Sequence, residues 1–380
     1  MQIIQRYLGL VLGIMFVPFG LSAEVVKESI DVSYDYYSDN VGVAVYSPVI
    51  GMAKLINEKW GVIANLRFDA ITAASNHYAS GKYHDQVITD AVTGASDKAF
   101  DDLRIAPDIG FVYEDGMSKT NFGFYGSIEN DYMVFAARIN EQLSFNDANT
   151  IVSAGAAISY EQWDPAINRK LSTDTKNVYT LTASLTQLLN PQAYLTFNAE
   201  YTLQKGFLAS PYRYINTQSY AAFDKYPEQR QSFPVSLTYV QQIADDFSTN
   251  VSYRLFTDTW DMMSHTIDTK GYYDVTESIT LGARLRYYYQ SGVGFIKPLN
   301  DYSSIDDPDY VVSDYKYSQF SSTSAGLSFF YRPGFIEDEN IVIKLSGNYY
   351  ITSDNDYIES WYGEKNIKAT YFTTTFTYEF

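Results

Sequence analysis

From Ala193 to Gln204 the chain alternates without a break. Ala193, Leu195, Phe197, Ala199, Tyr201 and Leu203 share one face of an extended segment, and Tyr194, Thr196, Asn198, Glu200, Thr202 and Gln204 share the other. The same period of two returns where Trp60, Val62, Ala64, Leu66, Phe68 and Ala70 alternate with Gly61, Asn65, Arg67 and Asp69. It returns again where Ile279, Leu281, Ala283, Leu285, Tyr287 and Tyr289 alternate with Thr280, Arg284, Arg286 and Gln290. One such strand fits any antiparallel sheet. The weight comes from repetition, and from Arg, Asp and Glu standing opposite the apolar face. A soluble sandwich turns its apolar faces inward onto each other, whereas a membrane barrel turns them outward to lipid and keeps polar groups in its lumen.

Periodicity and turn residues place strands at 30–37, 42–56, 60–72, 102–113, 120–129, 131–144, 150–162, 177–188, 193–204, 232–243, 247–258, 263–275, 278–290, 318–331, 340–352 and 367–380. The count is about 16, with 14 or 18 left open because 120–144 has almost no turn between its two strands. Short turns at Asn57-Glu58-Lys59, 114–119, Asn190-Pro191-Gln192, Ala244-Asp245-Asp246 and Thr276-Glu277 alternate with long polar insertions at 73–101, 163–176, 205–231, 291–317 and 353–366. If the first strand rises from the periplasm, every long insertion falls outside and every periplasmic connection is short. A miscount by one would break that parity. The expected fold is all-β: a single antiparallel transmembrane β-barrel over 24–380, with short periplasmic turns and long extracellular loops.

The two ends of the chain point to the same compartment. Arg6, the apolar run 7–20 and the small residue closing Leu21-Ser22-Ala23 read as a signal peptide over 1–23. Later in the chain no run of eighteen apolar residues exists, so helical spans are not expected. The last strand carries Phe372, Phe376, Tyr378 and Phe380 on one face, and its terminal Tyr378 and Phe380 resemble the signal read by the bacterial outer-membrane assembly machinery. The location expected is the cell outer membrane of a Gram-negative bacterium, with its lipid and lipopolysaccharide as partners.

Composition removes several classes of function. The 380 residues include no Cys and three His, which excludes thiolate chemistry and Cys-ligated metal centres. With 27 Lys and Arg against 45 Asp and Glu, the net charge is −18, which leaves no basic footprint for nucleic acid. The 36 Tyr suit the interfaces where amphipathic rings settle.

Several segments also resemble a known family. They are Thr186-Gln187 with Asn190-Pro191, the run Gly206-Phe207-Leu208-Ala209-Ser210-Pro211-Tyr212-Arg213, Asp258-Thr259-Trp260-Asp261 with Ser264-His265-Thr266, and Arg286-Tyr287-Tyr288-Tyr289-Gln290. The paired element Asp-x-[Ile/Val]-Thr-x-Ala-Ser, at 69–75 and 90–96, belongs with them. Together they are similar to the proteobacterial outer-membrane family catalogued as domain of unknown function 3570. The resemblance spans nearly all of the chain after 23. It implies the barrel fold and genes sometimes encoded near those of envelope redox proteins, and it brings no substrate or catalytic residue.

Chemistry is therefore sought in the lumen and the loops. Parity turns Arg67, Arg104, Arg138, Arg254, Arg284 and Arg286 inward together with Asp69, Asp108, Glu200, Asp258 and Asp268. Two readings follow: a selectivity zone for ions or polar solutes, or an ion-pair network bracing the wall, for which Arg is suited by its planar bidentate geometry. The acidic loops hold Asp301, Asp306, Asp307, Asp309 and Asp314, then Asp354, Asp356, Glu359 and Glu364, without EF-hand spacing. They read as solvated charge, with Ca²⁺ or Mg²⁺, free or bridging to lipopolysaccharide phosphates, as the alternative, and no metal or cofactor is assigned. The 69–75 and 90–96 element reads as folded loop structure, or as a loop packed into the lumen. His265 stands beside Ser264, but strand neighbours point to opposite faces, so no catalytic pair is expected. Its expected place is an interfacial girdle beside Trp260. His77 and His84 lie in a loop without a nucleophile context. The functional expectation is a porin-like channel for small polar solutes or ions and not an enzyme. The alternative is a closed barrel anchoring a periplasmic partner in a redox or secretion assembly.

Overall fold

The computed structural model describes residues 26–73, 102–164, 173–210, 213–333 and 340–380. The signal segment 1–23 and the loop holding His77, His84 and the second repeat copy lie outside the described residues.

Strands account for most of the chain: β1 (Ser29–Asp39), β2 (Val43–Asn57), β3 (Trp60–Ala73), β4 (Asp102–Asp115), β5 (Ser118–Ile128), β6 (Tyr132–Phe145), β7 (Thr150–Trp163), β8 (Asp174–Asn190), β9 (Ala193–Gly206), β10 (Tyr214–Asn216), β11 (Ala221–Phe223), β12 (Gln229–Ser232), β13 (Val235–Ala244), β14 (Phe247–Thr257), β15 (Met263–Thr276), β16 (Ile279–Gln290), β17 (Phe320–Tyr331), β18 (Asn340–Thr352) and β19 (Lys368–Glu379). β10 and β11 pair only with each other. β12 and β13 are one wall strand: Ser232 faces Thr202 and Val235 faces Ala199, so the register runs unslipped through Phe233 and Pro234. Pro234 has no N–H to donate, which is why the ladder thins there. The wall thus holds sixteen antiparallel strands. β19 closes it onto β1, from Ser29 opposite Glu379 to Asp39 opposite Ala369. The region 120–144, ambiguous in sequence, divides into β5 and β6 around Glu129-Asn130-Asp131.

The faces fall as the alternation requires. On β1, Ile30, Val32 and Tyr34 are exposed outside, while Asp31, Ser33 and Asp35 face the interior. On β16, Leu281, Leu285 and Tyr287 point out and Thr280, Arg284 and Arg286 point in. Leu327 on β17 is 72% exposed, and leaving such area in water would cost roughly 25 cal/mol per Å². An apolar exterior on a closed sheet is the pattern of a transmembrane β-barrel. No helix among the described residues is long and apolar enough to cross a membrane, so strands must do so.

The two rims differ. One carries the short turns 58–59, 116–117, 146–149, 191–192, 245–246 and 277–278. The other carries the connections 207–228, 291–319 and 353–367, as parity requires. Those three fold over the opening as a cap. The 291–319 connection contains helix α1 (Leu299–Tyr302) and a 3-10 turn at Tyr315–Tyr317, and 353–367 contains α2 (Asp356–Tyr362). α2 starts where the Asn355 side chain accepts the Tyr357 and Ile358 N–H groups, and it stops at Gly363, whose φ of 73° suits glycine. Its Ile358, fully buried, belongs to one buried cluster with Tyr315 and inward residues of the wall such as Tyr37, Val45, Ile71 and Trp163. The polar interior expected from sequence is thus joined at the capped rim by buried aromatic and aliphatic inward positions, which lie among ion pairs such as Glu161 with Lys176 and Arg230 with Asp258. At the other rim Val26 packs over Gly61, where a Cβ would lie 2.6 Å from it, beside Val112.

Gly206 ends β9 with φ 113°, and a Cβ there would lie 2.2 Å from the Thr175 carbonyl oxygen. Backbone cannot yield as a side chain can. Gly206→Ala should destabilise the folded barrel by roughly 1–3 kcal/mol, measured by urea unfolding in lipid vesicles.

Candidate functional site

The interior wall below the cap divides into three sectors by charge. The first, on β1 and β3–β6, is ion-paired. Arg67 on β3 reaches Asp35 at 3.1 Å and lies 3.8 Å from Asp69. Asp69 also binds Arg104 of β4, and both side chains are only 2% exposed. Arg138 of β6 grips Asp108 with both guanidinium ends at 2.8 Å. It can lie flat against the wall because Gly123 presents no Cβ, which would stand 2.3 Å from the guanidinium carbon. Nearer the cap, Glu161 takes Lys176 at 2.6 Å and the Tyr132 hydroxyl.

The second sector, on β8, β9 and β13, is mostly neutral. Thr180 with Thr202 and Thr186 with Thr196 share hydroxyl hydrogen bonds, and Asn198 donates to Ser236. Glu200 accepts from the Thr202 hydroxyl at 3.0 Å, and no cation reaches it among the described residues.

The third sector, on β14–β18, is cationic. The register sets Lys270 opposite Arg284 and Asp268 opposite Arg286. Arg284 donates through Nε to both Asp268 oxygens, at 3.1 and 3.0 Å. Arg254 stands over the Phe256 ring at 5.9 Å, and Lys344 over Phe330 at 5.6 Å. Asp258 belongs elsewhere. It lies at the capped rim, where it binds Arg230 and accepts the Trp260 and Met262 N–H groups, holding the tight turn between β14 and β15.

The cap is locked by long-range polar contacts. Lys225 and Val311 exchange backbone hydrogen bonds at 3.0 Å, joining the first two loops. Arg213, 1% exposed, lies 4.9 Å over Trp361 and donates to the Tyr362 hydroxyl at 2.6 Å, joining the first to the third. Asn355 donates to the Ser318 hydroxyl and the Gln319 carbonyl, joining the second to the third. Trp260 is buried in this core, stacked by Arg230 at 4.6 Å beside Tyr226 and Phe295, and not in the girdle where sequence reasoning put it. His265 does face outward, bonded to the Tyr253 hydroxyl at 2.7 Å, while Ser264 is buried on the inner face. Inside the cap, Asp224 accepts from the Tyr226 hydroxyl and the Ser313 N–H. Burial pushes its carboxyl up to about 7, although those two hydrogen bonds and Arg213 pull the other way.

Parity turns Arg67, Asp69, Arg104, Asp108, Arg138, Asp268 and Arg284 inward, where the ion pairs described above lie. Asp35, Lys270 and Lys344 obey the same rule and were passed over, although the alternation marks them. Arg230 falls at the edge of a segment read as loop. Arg213 and Asp224 sit in aperiodic sequence that gives no signal. Among the described residues no group of three or more His, Asp or Glu gathers as a metal site, and the acidic loops instead spend Asp314 capping the 3-10 turn through the Lys316 N–H.

A closed antiparallel sheet, greasy outside and ion-paired inside, defines an outer-membrane-type β-barrel. Solved structures carry the same fold. A bacterial polysaccharide outer membrane secretin aligns over 93% of this chain and 98% of its own, at TM-score 0.51 and 9% identity. CdiB from Acinetobacter baumannii aligns over 93% of this chain and 60% of its own, at TM-score 0.54 and 9% identity. The siderophore receptor PirA from Pseudomonas aeruginosa gives 0.43 at 10% identity, and this chain spans 57% of that receptor. For the secretin and CdiB, at such identities, the likeness is one of fold alone. No curated protein matches the sequence. The family described as "Protein of unknown function (DUF3570)" matches residues 19–367, and the chain belongs to it.

Two outcomes test this geometry. Arg104→Ala leaves Asp69 buried without its partner and should cost roughly 3–5 kcal/mol in urea unfolding, whereas replacing both by apolar residues of similar size should recover most of that loss. Asp224 binds its proton more tightly in the folded cap than in an unfolded chain, where its pKa is about 4. Cap stability should therefore be greatest below about pH 4, fall as pH rises to about 7, and level off above. Asp224→Asn should remove that slope and protect the cap above pH 7, read as hydrogen exchange of 221–231 and 311–318 relative to the parent protein.

Proposed function

We propose that the protein is a conduit for small polar solutes in a Gram-negative outer membrane, closed at rest by its own outer loops. The observation that carries this reading is a charged and partly exposed inner wall lying beneath a separately folded cap. A sixteen-strand wall encloses more space than its own side chains need to fill. The cap is tied loop to loop by hydrogen bonds and meets the wall through side chains, so it can move without unpairing the sheet. The short turns then face the periplasm and the cap faces the exterior. Tyr378 near the end of β19 and Phe380 just beyond it, their rings stacked with centroids 5.6 Å apart, present the terminal signal to the assembly machinery. Lipopolysaccharide surrounds the capped rim. No catalytic role is assigned, which accords with Ser264 and His265 lying on opposite faces.

The buried core of the cap favours a second reading, a permanently closed barrel that anchors a periplasmic protein. Planar-bilayer recording separates the two. The intact protein should show rare or small openings, and replacing 299–314 by a short Gly-Ser linker should produce steps of stable size. Silence from both forms, with a periplasmic protein co-purifying, would favour the anchor.

A further inference from the structure

The ion pairs of the inner wall are not evenly distributed. Around β1 and β3–β6 each guanidinium has its carboxylate: Arg67 with Asp35, Arg104 with Asp69, Arg138 with Asp108. On β14–β18 the inward cations Arg254, Lys270, Arg284, Arg286 and Lys344 surround a single mid-wall acid, Asp268, and Arg284 takes its two oxygens. Lys270 has Asp268, Arg284, Lys344 and Arg286 as its electrostatic neighbours. Among the described residues neither a hydrogen bond nor an ion pair reaches the side-chain cation of Lys270, Lys344 or Arg254. A protein of net charge −18 that sets five inward cations around one mid-wall acid in a single interior sector has arranged a local field against its overall sign.

The wall is shaped around this sector as well as charged. Register runs from Asn250 through Lys270, Arg284 and Gly326 to Asn348 in one row across five strands. Gly326 is bare because Asn348 Oδ1 occupies the place where a Cβ would sit, 2.0 Å away. The adjacent row holds Gly282 between Tyr272 and Ser328, which lean to 3.1 and 3.0 Å of the missing Cβ. Amide, phenol and hydroxyl groups therefore flank the cations, and the small residues between them leave the charged ends facing open lumen. Side-chain exposure of 34% at Arg284 shows that the lumen is accessible there.

We infer that the β14–β18 wall is a binding site for a small multivalent oxyanion, held by Lys270, Lys344, Arg284, Arg286 and Arg254 beneath the cap. Ammonium groups supply mobile point charges and the guanidinium groups supply fixed forks, the combination that grips phosphate or clustered carboxylate oxygens. Access is from the short-turn rim, because the aromatic core fills the other. The inference rests on the conduit reading only for the path the anion takes, and not for the site itself.

The test is calorimetric titration of pyrophosphate and, separately, citrate into the folded full chain in detergent at low ionic strength. A single saturable site for one or both is expected, and whichever binds tighter names the phosphate or the carboxylate source. Lys270→Gln with Lys344→Gln should weaken binding about tenfold or more. Lys59→Gln, in a short turn where Lys59 pairs with Asp115, should leave it unchanged. If the double variant fails to fold, Lys344→Gln alone near the open rim should still weaken binding measurably. No saturation by either anion, or equal affinity in the variants, overturns the site. Binding is read without current: a silent barrel that binds keeps this inference and loses the conduit, and a conducting barrel that does not bind does the reverse.

Discussion

The structure depends on backbone hydrogen bonds that have no substitute. Inside hydrocarbon no water is present to satisfy an unpaired N–H or C=O, so a sheet that crosses must close on itself. The pairing of β1 with β19 along the full length of β1 meets that demand. Once the sheet is closed, period-two alternation leaves no freedom: each strand must send its apolar residues out and its polar residues in. The polar wall, its ion pairs and its cationic sector are downstream of that single closure.

Closure also explains why the two rims are so unlike. Tight turns suffice to reverse a strand, and at one rim that is all the connections do. At the other, three long connections carry enough aromatic and aliphatic residues to build a core of their own over the opening, with Ile358 and Tyr315 in one buried cluster with the inward-facing Trp163 and Ile71 of the wall. The interior consequently gains buried aromatic and aliphatic positions among its ion pairs toward the capped rim. Arg213 against Trp361 and Arg230 against Trp260 show how the cap keeps cations in such a setting, by stacking them on ring faces.

Much of this was legible in the sequence because alternation is a local signal. Counting residues turns Arg67, Arg104, Arg138 and Arg284 inward, and periodicity gives about sixteen strands, with parity between short and long connections excluding only odd counts and leaving fourteen or eighteen open. The partners were less legible: Arg67 reaches Asp35 on another strand, and only register decides that. The cap was the least legible. Arg213, Asp224 and Trp260 lie in aperiodic stretches, and their neighbours come from distant loops, so nothing nearby in sequence announces that they are buried. Trp260 was mistaken for a surface ring because girdle residues and cap residues have the same composition.

The bond between Arg213 and the Tyr362 hydroxyl joins positions 149 residues apart. Contacts that distant form late, because the intervening chain must be ordered first. The cap therefore needs the connection between β18 and β19 in place, and a chain interrupted before Tyr362 would lack the contact that ties its first outer loop to its third.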